Sequence, residues 1–220
     1  MVLKCPFTLQ ICGSSGSGKS TFVQELIKRN YFDTEFKKII WIQSESDFPQ
    51  INNVEFRNDM IDLSDLPRPS LLIIDDMMDS AFNDKILLDI FTKKSHHSDI
   101  SCILTSQNIF HKAKYTRDIS LNAKYLVVFK NNRDRSQIMH LARQVYPENA
   151  PAFQKCFFDA TNSPHGYIFC DFSQDCDDKI RFKTNIFDEN GITVYCPCNN
   201  EPCKSTYSNV KKYSKKPKTY

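Results

Sequence analysis

Eight consecutive residues, Gly13-Ser14-Ser15-Gly16-Ser17-Gly18-Lys19-Ser20, constrain this 220-residue chain more than any other feature. The whole sequence holds only 5 glycines, and Gly13, Gly16 and Gly18 fall inside this one stretch. The spacing satisfies G-x-x-x-x-G-K-[ST]. Glycines let a backbone curl until its N–H groups point inward at phosphate oxygens, where a side chain would block approach. Before the stretch, Phe7–Cys12 alternates apolar and polar residues; after it, Phe22, Val23, Leu26 and Ile27 form one helical stripe within Lys19–Arg29. A helix opening at Lys19 adds the partial positive charge of its N-terminus. Strand, turn and helix together predict a phosphate-binding loop built from Gly13 to Ser20 with Thr21 beside it. In such a loop Lys19 bridges the β- and γ-phosphates and the Ser20 hydroxyl ligates Mg²⁺.

The rest of the chain reads as buried strands separated by amphipathic helices. Strand runs are Lys38–Gln43, a weak Asn53–Arg57, Leu71–Asp75, Ile100–Ser106 and Tyr125–Lys130; helical patterns span Asn83–Lys94, Arg135–Val145 and Ala150–Ala160. A polar loop, Gln107–Asp118, separates two of the strands, and Gly166–Phe172 with Lys179–Thr184 reads as a closing hairpin. This pattern predicts an α/β fold: a mainly parallel sheet flanked by helices, with a C-terminal β-hairpin. Residues 1–188 form the expected domain, and 189–220 a Cys-rich then Lys-rich tail.

Leu71-Leu72-Ile73-Ile74-Asp75-Asp76 supplies the second half of a nucleotide site. Four aliphatics bury a strand and present Asp75 at its C-terminal edge, where open α/β sheets bind ligands. There Asp75 holds Mg²⁺ opposite Ser20, and Asp76 polarises a water aimed at the γ-phosphate. Ile103-Leu104-Thr105-Ser106-Gln107 ends another strand in polar residues. If that strand lies between the first one and the Asp75 strand, Gln107 faces the γ-phosphate and the attacking water. An inserted strand with an acid beside the metal-binding acid is the P-loop NTPase arrangement of the ASCE type. Arg117 is the candidate for an arginine offered in trans to a neighbouring subunit's γ-phosphate, with Arg133 and Arg135 in reserve. A solvated arginine would have the same spacing.

Composition narrows the setting. The longest apolar runs, Leu71–Ile74 and Tyr125–Phe129, are far below the roughly 18 residues of a membrane span. The opening Met1-Val2-Leu3-Lys4-Cys5-Pro6 lacks a signal-peptide build, so an intracellular protein is expected. Nine cysteines, several in apolar runs, then read as reduced thiols rather than a disulfide framework. Cys196, Cys198 and Cys203, joined by Cys170, Cys176 or His165, offer a zinc alternative, but the spacing C-x-C-x₄-C is not that of a zinc ribbon. Residues 201–220 hold six Lys and one Glu, a net of +5; with +3 for the whole chain, residues 1–200 carry −2. The tail is therefore the anion-seeking part. His111–Tyr115 and Lys93–His97 are basic loops that suit a nucleic-acid backbone, although most such loops are simply solvated.

GSGKS within Gly13–Ser20, then LPRPSLLIIDDMMD (Leu66–Asp79), then ILTSQN (Ile103–Asn108) resembles the DNA-packaging ATPases of the FtsK–HerA superfamily. The likeness extends through Tyr115–Ile138, Leu141–Pro147 and Pro164–Phe187. It is nearest to the poxvirus-type virion packaging ATPase carried by Polinton (Maverick) elements and adintovirus-like viruses. The resemblance implies a homo-oligomeric ring that hydrolyses ATP with Mg²⁺ to drive double-stranded viral DNA into a preformed capsid. Capsid vertex or portal proteins would be its partners, at the site of virion assembly. It also implies Gln107 at the family's sensor position and Arg117 near its arginine. Many members have Glu where Asp76 stands. Two other classes compete: a nucleotide-gated assembly factor with slow turnover, and a small-molecule phosphotransferase, for which no acceptor-pocket signature is visible.

Overall fold

Aliphatic runs build the sheet, and their order in space builds the site. The computed structural model describes residues 1–44, 51–63, 66–77, 83–94, 99–110, 113–196 and 203–207. The strands β1 (Thr8–Cys12), β2 (Lys38–Gln43), β3 (Val54–Arg57), β4 (Ser70–Asp75), β5 (Ile100–Ser106) and β6 (Tyr125–Phe129) run parallel. Four more, β7 (Tyr167–Asp171), β8 (Phe182–Thr184), β9 (Ile192–Cys196) and β10 (Cys203–Tyr207), continue the same sheet antiparallel from the β6 edge. The spatial order is β10-β9-β8-β7-β6-β1-β5-β4-β2-β3. β5 therefore lies between β1 and β4, with Ile103 in register with Leu9 on one side and Ile73 on the other. The condition set on Gln107 by the sequence is met.

One face is covered by α1 (Lys19–Lys28), whose Phe22, Val23 and Leu26 pack on Leu9, Ile11, Ile73, Ile103 and Val127. Burying the Phe22 ring contributes about 1.5–3 kcal/mol. The other face carries two clusters. α2 (Lys85–Asp89), a π-helical turn (Ile90–Lys94) and α3 (Thr116–Leu121) cover Ile42, Leu72 and Leu104. α4 (Ser136–Val145) and α5 (Ala150–Ala160) cover Leu126, Val128 and Ile168. Alternation along each strand then decides what reaches the α1 face. Asp75 follows Ile73 by two and Thr105 follows Ile103 by two, so both point to α1.

Three local expectations are corrected. The polar loop after β5 contains a helix, α3, anchored by the fully buried Ile119. The single helix expected over Asn83–Lys94 begins at Lys85, capped by the Asp84 side chain, and changes to a π-helical turn at Ile90. The sheet also does not end with the hairpin. Ile192-Thr193-Val194-Tyr195 is a β-branched and aromatic run, and it pairs with β8 while β10 pairs with it, so the ladder continues past residue 188. Its cysteines and the lysines beyond it masked that strand pattern. Among the described residues, no helix is long and apolar enough to cross a membrane.

Candidate active site

The turn after β1 is held from three sides. The Gly13 N–H donates to the Ser106 carbonyl at 3.0 Å, tying the loop to the tip of β5. Lys19, only 7% exposed, turns its Nζ back onto the carbonyls of Gly13 (3.0 Å) and Ser14 (3.3 Å). His165, in the loop between α5 and β7, donates from Nδ1 to the Ser17 carbonyl at 3.1 Å; a carbonyl can only accept, so that nitrogen carries the proton. Two glycines are required by geometry. A Cβ on Gly13 would sit 2.7 Å from Phe129 Cβ, and Gly18 has φ +107°, a conformation that side chains disfavour. Burial pushes the Cys12 thiol, at the end of β1, up to about 12 despite the nearby Lys19 ammonium. It is inert structural packing rather than a nucleophile.

The two acids are brought to this loop. Ser20 Oγ donates to Asp75 Oδ2 at 2.8 Å, and Asp75 is 6% exposed. Thr105 Oγ1, fully buried, donates to Asp75 Oδ1 at 2.5 Å and accepts from the Asp76 N–H at 3.0 Å. Asp76 lies in the left-handed region at φ +53°, with its side chain exposed. That conformation costs a non-glycine residue of order 1–3 kcal/mol, and the Thr105 bond to its N–H helps to hold it. Gln107 Nε2 reaches both Asp76 oxygens, at 3.3 and 3.4 Å. Thus Lys19, Ser20, Asp75, Asp76 and Gln107 converge. Thr105 was not foreseen. Its signal was parity: it is a polar residue on the inward register of a buried strand, legible once β5 is known to lie beside β4.

A cleft of about 750 Å³ opens over Lys19, Ser20, Asp75 and Asp76, whereas Thr105 and Gln107 do not line it. Ser15, Gly16, Gly18, Lys19, Ser20 and Thr21 line it together with Asp75 and Asp76. Ser17 Oγ is buried without a hydrogen-bond partner among the described residues. Ser20 and Asp75 offer adjacent hydroxyl and carboxylate oxygens, a donor set that suits a hard divalent cation.

Other expected residues stand apart. Arg117 is exposed on α3 and does not line the cleft; α3 leads to Asn122, whose carbonyl accepts from Thr8 at the far end of β1. Arg133 and Arg135 are exposed between β6 and α4, with the Arg135 guanidinium over the Phe158 ring. Cys196 lies opposite Cys203 in the β9–β10 ladder, while Cys198 is outside the described residues. Among those described, no group of three His, Cys, Asp or Glu side chains could hold a metal ion; the zinc alternative needs Cys198, which is not among them. Lys114 lies over the Tyr115 ring, whereas residues 95–98 and 111–112 of the basic loops fall outside the described set.

The chain matches the structure of the genome packaging NTPase B204 from Sulfolobus turreted icosahedral virus 2 in complex with ATP-gammaS. The TM-score is 0.51 at 13% identity, over 76% of this chain and 93% of that one. The AMP complex of the same protein gives 0.52 at 14% identity, covering 81% and 96%. A crystal structure of B204 described as the DNA-packaging ATPase from Sulfolobus turreted icosahedral virus gives 0.51 at 14%, covering 77% and 94%. The fold is that of a P-loop NTPase. No family model and no curated protein matches the sequence. At these identities the P-loop NTPase likeness speaks for architecture, and what the site does must come from its own residues.

Proposed function

We propose that the protein is an Mg²⁺-dependent ATPase that drives double-stranded DNA into a preformed viral capsid. One observation carries the reading: Asp75 and Asp76 line the phosphate-loop cleft with Ser20, and Thr105 and Gln107, which do not line it, hold the two acids by hydrogen bonds. An acid on the metal, a second acid for water and a polar sensor on an inserted strand suit an NTPase that does mechanical work. The packaging role of the B204 neighbours supports the same direction.

In this reading the backbone N–H groups of the loop and Lys19 bind the phosphates. Lys19 must leave the Gly13 and Ser14 carbonyls to do so. Ser20 and Asp75 would hold the Mg²⁺, which would supply neutralisation of the charge that develops on the phosphates. Asp76 orients and deprotonates the attacking water, and Gln107 senses the γ-phosphate through its bond to Asp76. Arg117, outside the cleft of its own subunit, serves a neighbour in a homo-oligomeric ring.

Steady-state ATP hydrolysis with and without double-stranded DNA tests this. Wild-type turnover should rise with DNA, and Lys19→Ala should lose at least about 10²-fold, as expected when charge stabilisation at the transferring phosphate is removed. Turnover unchanged in Lys19→Ala would refute it. Mixing Arg117→Ala with Lys19→Ala subunits should restore activity, since each supplies what the other lacks; no rescue in co-assembled rings would remove Arg117 from the role.

A second reading rests on the short arm of Asp76 and its exposed side chain, which Gln107 Nε2 contacts at 3.3 and 3.4 Å. It makes the protein a nucleotide-gated assembly factor with slow turnover. A single-turnover assay that stays slow when DNA is added favours it over the motor.

A further inference from the structure

In the reading above, phosphates, cation and water account for the loop residues, Asp75 and Asp76, and leave the aromatic part of the cleft lining unassigned. With Asp75 and Asp76 taken as the γ-phosphate side, the remainder of a nucleotide would run along the loop toward Gly18, which faces the His165 and Phe129 side chains. That direction leads to an aromatic wall of Phe129, Tyr167, His165 and Phe187. Phe129 and Tyr167 are 3% and 8% exposed and offer little surface, whereas Phe187 is half-buried and His165 exposed. Phe187 is also fixed before any ligand arrives. Its carbonyl accepts from Arg29 Nη1 at 2.8 Å, and the Arg29 guanidinium lies 5.6 Å from its ring centre. Phe22 and Tyr31 press on the ring at 5.0 and 5.2 Å. The preceding Ile186 is bolted on both sides, its N–H donating to Tyr167 Oη at 2.9 Å and its carbonyl accepting from Tyr31 Oη at 2.7 Å. A ring held this firmly yet left half in the cleft suits a flat heteroaromatic partner, because an ordered platform loses little freedom on binding.

We infer that this part of the cleft is the nucleobase seat, with the Phe187 ring as its stacking platform. The inference rests on the nucleotide-binding reading above and adds to it a determinant of affinity separate from the phosphates. Stacking favours the larger face of a purine over a pyrimidine.

Isothermal titration of the full chain separates the two parts, with ADP as one probe and base-free tripolyphosphate as the other. Phe187→Leu keeps apolar bulk and removes the ring, so ADP should bind about tenfold more weakly while tripolyphosphate stays within about twofold; Phe187→Trp should retain ADP. ADP affinity unchanged in Phe187→Leu, or equal losses for both probes, overturns the seat. Lys19→Ala should weaken both probes. If it weakens neither, the phosphate site fails, and that result is distinct from a failure confined to Phe187.

Discussion

The parallel half of the sheet and its antiparallel extension meet at the cleft but are built on opposite principles. At the tips of β1, β4 and β5 the groups are polar and mutually tied: Ser20 to Asp75, Thr105 to both acids, Gly13 to Ser106. Beyond β6 the chain contributes packing. Phe182 lies against Phe153, Tyr195 is buried, and Tyr167 and Phe187 close around Phe22. Chemistry is thus concentrated in hydrogen bonds that place charge, and the added strands supply rigidity and an aromatic wall. Damage to the two halves should register in different measurements.

The largest effect is expected at the exposed acid of the pair. Asp76→Asn keeps a side chain that tolerates φ +53°, so the fold should survive while kcat falls about 10²–10⁴-fold, the range for losing a general base. ATP binding by titration should change little; a parallel collapse of binding would mean that Asp76 is structural. Thr105→Val comes next. It removes a buried hydroxyl bonded to a carboxylate, worth about 1.5–3 kcal/mol, and hence about ten- to a hundredfold in turnover. Thr105→Ser should restore the wild-type rate, and failure of that rescue would show that the methyl group matters more than the hydroxyl.

In the other half the readout changes. Phe153 is fully buried against Phe182, and Phe153→Ala should cost about 3–5 kcal/mol in denaturant unfolding. Turnover per folded molecule should stay near wild type; a loss would erase the contrast between the halves. The smallest effect belongs to Tyr195→Phe, which deletes the 2.6 Å bond from Tyr195 Oη to Asp159 on α5. A loss of about 1 kcal/mol is expected in the same unfolding measurement, and no loss would make that bond incidental to the docking of β9.

Much of the site was legible because its signals are local. The loop spacing, the aliphatic run ending in Asp75 and the polar end of β5 each need only a few neighbours in sequence. What escaped depends on neighbours in space. Thr105 is recognisable only when β5 is seated against β4, and Phe187 only when residues after β8 fold back onto α1. β9 and β10 were hidden for a different reason: cysteine and lysine content dominated a segment whose Ile192–Tyr195 alternation was already strand-like. Arg117 is of another kind: its spacing suggests a role toward a second chain, which its place outside this cleft neither supports nor contradicts.

The account stands on the loop at residues 13–20 and the acids at 75 and 76 serving one triphosphate. A crystal structure with Mg²⁺ and a non-hydrolysable ATP analogue tests it most directly. It should show the phosphates on the loop N–H groups and Lys19, with the cation between Ser20 and Asp75. Phosphates bound away from the loop, or a cation with neither residue as a ligand, would contradict it.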